Sequence, residues 1–204
     1  MRSDVPVSSA PISIETRALG TLDYIRSSID ASAALVVPGT AGVLMGSIGL
    51  VAAVLAAAAP ARWLPIWLIA CLAAFLGGAI VMAHQARQTG HARYLGPLRK
   101  FLFCLCPALL AGAVLTLVLW RAGVEGLLPG TWLLLYGCAV LSASTVTVAR
   151  TRALIGVMGT LFVLLGCVAY ALPAAEQTPI LGLGFGVLHL VIGLKIARMS
   201  HDGH

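Results

Sequence analysis

The chain has 204 residues, of which 60% are hydrophobic and 10% charged, and its net charge is +6. That balance excludes an exterior built for water and suits one that faces lipid. The positive charge follows from where Lys and Arg sit around the membrane, as set out below, so it does not point to direct nucleic-acid binding.

In chain order, residues 1–15 mix Ser, Pro, Val and charge without periodicity and read as a disordered tail. Residues 16–38 follow as an amphipathic helix at the inner face. Leu22, Ile25, Ile29, Ala33 and Val36 recur at helical spacing over Leu19 to Val36, Thr21 is its N-cap, and Pro38-Gly39 ends it. Such a helix serves either as an anchor without a partner or as a docking surface for a cytoplasmic protein.

Six apolar runs come next, each long enough to cross about 30 Å of hydrocarbon as a helix. They cover Thr40–Ala59, Leu64–Ala83, Phe101–Trp120, Thr131–Ala149, Ala153–Leu172 and Pro179–Lys195. Peptide groups in lipid must be paired within the segment, and the runs are continuous rather than alternating, so sheets and barrels are excluded. The expected fold is therefore all-α: a six-helix integral membrane bundle over residues 39–198, preceded by the inner-face helix and followed by a short cytoplasmic tail, 199–204. Three helical hairpins are suggested by outer prolines (Pro65, Pro129, Pro179) and by the endings HQAR, TVAR and KIAR. Related segments GVLMGSIGL and IGVMGTLFV support a repeat.

Of the 13 Lys and Arg residues, only Arg62 and Arg121 fall in the gaps on one side; Arg87, Arg93, Arg99, Lys100, Arg150, Arg152, Lys195, Arg198 and the N-terminal arginines fall on the other. Because cytoplasmic segments retain basic residues, both termini are expected in the cytoplasm of a bacterium, with the chain in the inner membrane. Trp63, Trp67, Trp120 and Trp132 all fall at the opposite interface, where amphipathic rings sit well.

His189 is the ionisable residue deep within a span, ten residues after Pro179, or about 15 Å along a helix. It shares a helical face with Gly182, Gly186 and Gly193, which would let another helix approach closely. Span four offers Cys138, Ser142, Thr145 and Ala149 at matching spacing, and span two offers Ala73, Gly77, Ile80 and His84. An intramembrane polar site at His189, Ser142 and Thr145 is thus expected. Its readings are a hydrogen-bonded packing lock, a ligand, ion or proton site, or a haem ligand. Gly42, Gly46, Gly182, Gly186 and Gly193 are expected to pack helices, within one chain or between two copies.

No metal or catalytic signature accompanies these residues. Cys104 and Cys106 point about 200° apart on a helix, and Cys71, Cys138 and Cys167 behave as small hydrophobes inside spans. Ser142 and Ser144 lie in a helix without the paired N–H donors an oxyanion needs, and the acids Glu125 and Glu176 lack partners. No catalytic residue, metal or cofactor is expected. The leading reading is a non-enzymatic inner-membrane protein that senses a membrane condition or holds a cytoplasmic protein, with the basic loop Gln85 to Lys100 at its inner face. The alternative is a small-solute or ion permease with its midplane site at His189.

TLDYIRSSIDASAALVVPGTAGVLMG, LLPGTWLLLYGCAV and GFGVLHLVIGLKIAR together resemble a family of uncharacterised bacterial six-span integral membrane proteins, over nearly all of the chain after the first fifteen residues. The resemblance implies a six-helix fold and no established activity. It marks Tyr24, Ile25, Arg26, Pro38, Gly39, Gly46, Pro129, Gly130, Trp132, Tyr136, Gly184, Phe185, Gly186, His189 and Gly193 as characteristic positions. Members of that family occur beside winged-helix regulators, which implies a cytoplasmic regulatory protein as partner.

Overall fold

The computed structural model describes residues 20–22, 34–89 and 91–201. Among them, six helical stretches are long and apolar enough to cross a membrane, so the chain is an all-α, multi-pass membrane protein. The first five are α1 (Gly39–Ala58), α2 (Trp63–Thr89), α3 (His91–Arg121), α4 (Leu128–Ser144) and α5 (Ala149–Ala171). The sixth is α6 (Ala174–Leu181), a π-helical segment (Gly182–Leu188) and α7 (His189–His201), running one into the next.

Most of the tail and of the amphipathic inner-face helix lies outside the described residues. Gly20–Leu22 are helical, whereas residues 34–38, the end of the expected helix, are not; Leu35 forms an isolated bridge with Thr147. Residues 85–100 are not a loop. Apart from Gly90, outside the described residues, the chain stays helical there, because backbone pairing within a helix satisfies the peptide groups beyond the bilayer as it does inside it. At the other end of α3 the chain reverses through Gly123, whose φ of 69° is the left-handed conformation that favours glycine.

Two helix pairs form the core, and glycines set both. Spans one and six meet along Gly39, Gly42, Gly46 and Gly49 on α1 and Gly186 and Gly193 opposite. A Cβ on Gly46 would lie 2.5 Å from the Leu190 amide nitrogen, and one on Gly193 would lie 2.5 Å from that of Val43. Gly182 abuts Ala53 in the same seam. Spans four and five meet likewise, with Gly137 against Gly159 and Gly130 and Gly166 one heptad away; a Cβ on Gly159 would lie 2.8 Å from the Leu141 nitrogen. Lipid is as apolar as Leu, so close backbone packing of this kind is what holds membrane helices together. The five expected packing glycines, Gly42, Gly46, Gly182, Gly186 and Gly193, thus all serve contacts within one chain.

The contact between α2 and α3 is different. Each packs well on a core neighbour, α2 on α1 and α3 on α4, but the two touch each other little. Gly77 and Gly78 on α2 face the side chains of Leu44 and Met45 on α1, and Gly112 on α3 faces Leu135 on α4. No backbone-to-backbone seam closes this pair.

At the Arg-bearing end, residues 34–38 form a strap. Helix α4 stops at Ser144, where Thr145, Val146 and Thr147 amides turn back to the carbonyls three residues earlier. That break frees Val146 O and the Val148 amide, which pair with the amide and carbonyl of Leu35 at 2.9 and 3.1 Å. Leu35 is buried with Ala86 of α2 and Tyr94 of α3, and Tyr94 Oη donates to Val36 O at 3.4 Å.

Candidate functional site

A cavity of about 490 Å³ lies between the α2–α3 hairpin and the core, and all six spans line it. That volume falls within the range of about 300 to 1,000 Å³ usual for small-molecule sites. Ala74, Gly78, Ala79 and Met82 of α2 and Leu98 and Leu105 of α3 make one wall; Gly42, Met45, Val140, Ala143 and Met158 make much of the other. Its small residues are what leave the space. Phe75 and Leu102, which also line it, are 53% and 40% exposed, so the cavity opens sideways between the second and third spans.

Polar side chains on this wall are few: Tyr136, His189, the Cys106 thiol and, at the Arg-bearing end, Arg87. His189 is buried, and its Nε2 lies 2.7 Å from Tyr136 Oη while Nδ1 lies 3.4 Å from Gly184 O. The two rings sit in an aromatic cluster with Phe162 of α5 and Phe185 of the π segment, with centroids 4.8 to 6.2 Å apart. His189 is the first residue after that segment. Such one-residue bulges in a helix recur at functional sites.

His189 therefore has a hydroxyl partner on span four, but the partner is Tyr136 rather than Ser142 or Thr145. At 3.6 residues per turn, Ser142 is rotated roughly 120° from Tyr136, and Thr145 roughly 180°. Both are exposed on the outside of the bundle, and Thr145 lies past the helix end, its Oγ1 bonded to Ser142 O at 2.7 Å. The inward face of α4 is Tyr136, Val140 and Ala143. On the expected face of α2, Ala73, Ile80 and His84 are exposed, Ile80 by 70%, and Gly77 packs on Leu44 of α1; Ala74, Gly78 and Met82 face the cavity. Tyr136 carried one legible signal, a hydrogen-bonding group well inside an apolar span.

Both ring nitrogens of His189 thus have a partner within the protein. Among the described residues, no three His, Cys, Asp or Glu side chains gather as a metal site.

The Trp-bearing end is closed by side chains. Trp63 and Trp132 stack at 5.5 Å with 7° between their planes, Trp63 Nε1 donates to Thr178 Oγ1 and Trp132 Nε1 to Thr116 Oγ1, each at 2.8 Å. Thr131 and Tyr170 hydroxyls bond at 2.7 Å beside them. Trp67 is buried against Phe185, its Nε1 without a hydrogen-bond partner among the described residues. Of the four tryptophans expected at this interface, Trp120 is exposed and the other three turn inward to join α2 to the core.

No protein-family model, curated protein or solved structure matches this chain.

Proposed function

We propose that the protein is a non-enzymatic membrane sensor that takes an apolar molecule from the bilayer into this cavity and relays its occupancy to the cytoplasmic side. One observation carries the reading: Val37 and Pro38 line the cavity, while Leu35, two residues earlier, is pinned to the α4–α5 break and buried against the hairpin. A molecule that spreads the hairpin from the core changes the environment of this strap, and the strap continues into residues 16–33. A cytoplasmic regulatory protein is the natural recipient of such a signal. In this reading the chain lies in a bacterial inner membrane with both termini cytoplasmic, supported by the concentration of Lys and Arg at the strap end.

The experiment is extraction of small molecules from the purified protein, followed by mass spectrometry. The wild type is expected to carry an apolar compound that Ala79→Phe, which fills the cavity from α2, lacks. Identical extracts from both proteins count against the reading.

A permease centred on His189 has one observation in its favour, the convergence of six spans on a polar pair within the membrane. The tryptophan closure weighs against it, because a through-path must break that stack and its hydrogen bonds. Solute uptake into vesicles that His189→Ala abolishes would favour transport over sensing.

A further inference from the structure

The polar spot in the cavity wall has a direction, set by the proton positions of the His189–Tyr136 pair. Gly184 O can only accept a hydrogen bond, so the His189 nitrogen facing it, Nδ1, carries the proton. A neutral imidazole then has a bare Nε2, which accepts from the Tyr136 hydroxyl at 2.7 Å. Tyr136 has one proton and gives it to His189. Its oxygen keeps lone pairs only, and the cavity-facing pair offers a guest an acceptor but no donor.

Arg87, a further polar residue of the wall, belongs to the last turn of α2 and is exposed, so it sits where charged ends reach water. The Cys106 thiol of α3 is only a weak donor, and the remaining lining is apolar.

We infer that the guest is a membrane-dissolved apolar molecule bearing a hydroxyl group, and that this hydroxyl donates to Tyr136 Oη. Tyr136 is the residue that reads the hydroxyl, and His189 is a positioning residue that accepts the phenolic hydrogen bond and so fixes the polarity of the spot. An apolar alcohol gains a hydrogen bond there that an ether or hydrocarbon of the same shape cannot make. This inference rests on the cavity reading above and adds the chemistry of the ligand.

The test uses farnesol and its methyl ether with the full-length protein in lipid nanodiscs, binding being read from the ligand-dependent shift of thermal unfolding. One neutral hydrogen bond corresponds to a preference of about two- to tenfold for the alcohol. Wild type is expected to show it, Tyr136→Phe to bind both equally, and Ala79→Phe to bind neither. His189→Gln, whose side-chain carbonyl accepts the same phenolic proton, is expected to restore the preference that His189→Leu loses. Equal binding of alcohol and ether by the wild type, or a preference that survives Tyr136→Phe, overturns the inference and leaves the cavity reading standing. Binding of neither compound by a folded wild type overturns both.

Discussion

The core helices and the second and third spans are made of similar apolar residues, yet they are packed very differently. Half of the most apolar stretch of spans four and six is buried, against 6% in spans two and three. Where Gly46 meets Leu190, or Gly137 meets Gly159, two backbones approach within a distance that forbids a Cβ. Where α2 and α3 face each other, no such seam exists and a cavity opens to the side. In lipid, then, hydrophobicity inserts helices, and small residues in register decide which ones join.

The largest expected effect breaks the core side of this comparison. Gly46→Leu places a side chain against the backbone of Leu190 and Gly186, which no rotamer change relieves. Overpacking typically costs about 1 to 3 kcal/mol, and a clash with backbone belongs at or beyond the upper end. A thermal unfolding midpoint in detergent that stays at the wild-type value would show that the seam is not what holds spans one and six.

Next comes the attachment of the hairpin. Trp63→Ala removes a stacked ring pair and a hydrogen bond to Thr178, together about 1 to 3 kcal/mol. Thiol labelling of a Phe75→Cys reporter should quicken in that background, as the hairpin swings from the core. Trp67→Phe makes a sharp control. It deletes a buried N–H that has no partner among the described residues, so stability should stay within about 1 kcal/mol of wild type.

A smaller loss is expected for Tyr136→Phe, which severs one hydrogen bond between spans four and six. Interhelical bonds of this type are worth about 0.6 to 1.7 kcal/mol. A loss much above that range would mean that the pair locks the core in addition to facing the cavity. The smallest effect should have the opposite sign. A Cβ on Gly78 would lie 3.7 Å from Met45 Sδ, an ordinary contact, so Gly78→Ala should stabilise α2 by up to about 0.5 to 1 kcal/mol. Destabilisation there would show that the hairpin packs more tightly than the cavity suggests.

Much of this was legible in the chain itself. The six spans follow from apolar run lengths, and the face of His189, Gly182, Gly186 and Gly193 is buried in the structure. Span four was misread because two of its faces look alike. Cys138, Ser142 and Thr145 are small and polar, features that suggest an interior surface, yet Tyr136, Val140 and Ala143 point inward. The second seam, Gly130 and Gly137 against Gly159 and Gly166, emerges only in the structure, although its heptad spacing is present in the chain.

Span number and the side that carries the basic residues came from sequence alone. They express a local rule: each peptide group in oil must be paired within its own segment, and each charge must reach water. The rotation of every helix, the choice of Tyr136 over Ser142 and the gap between α2 and α3 were decided only by tertiary packing. Lipid and protein interior are equally apolar, so hydrophobicity cannot tell a helix which face to turn inward, and fit between surfaces has to.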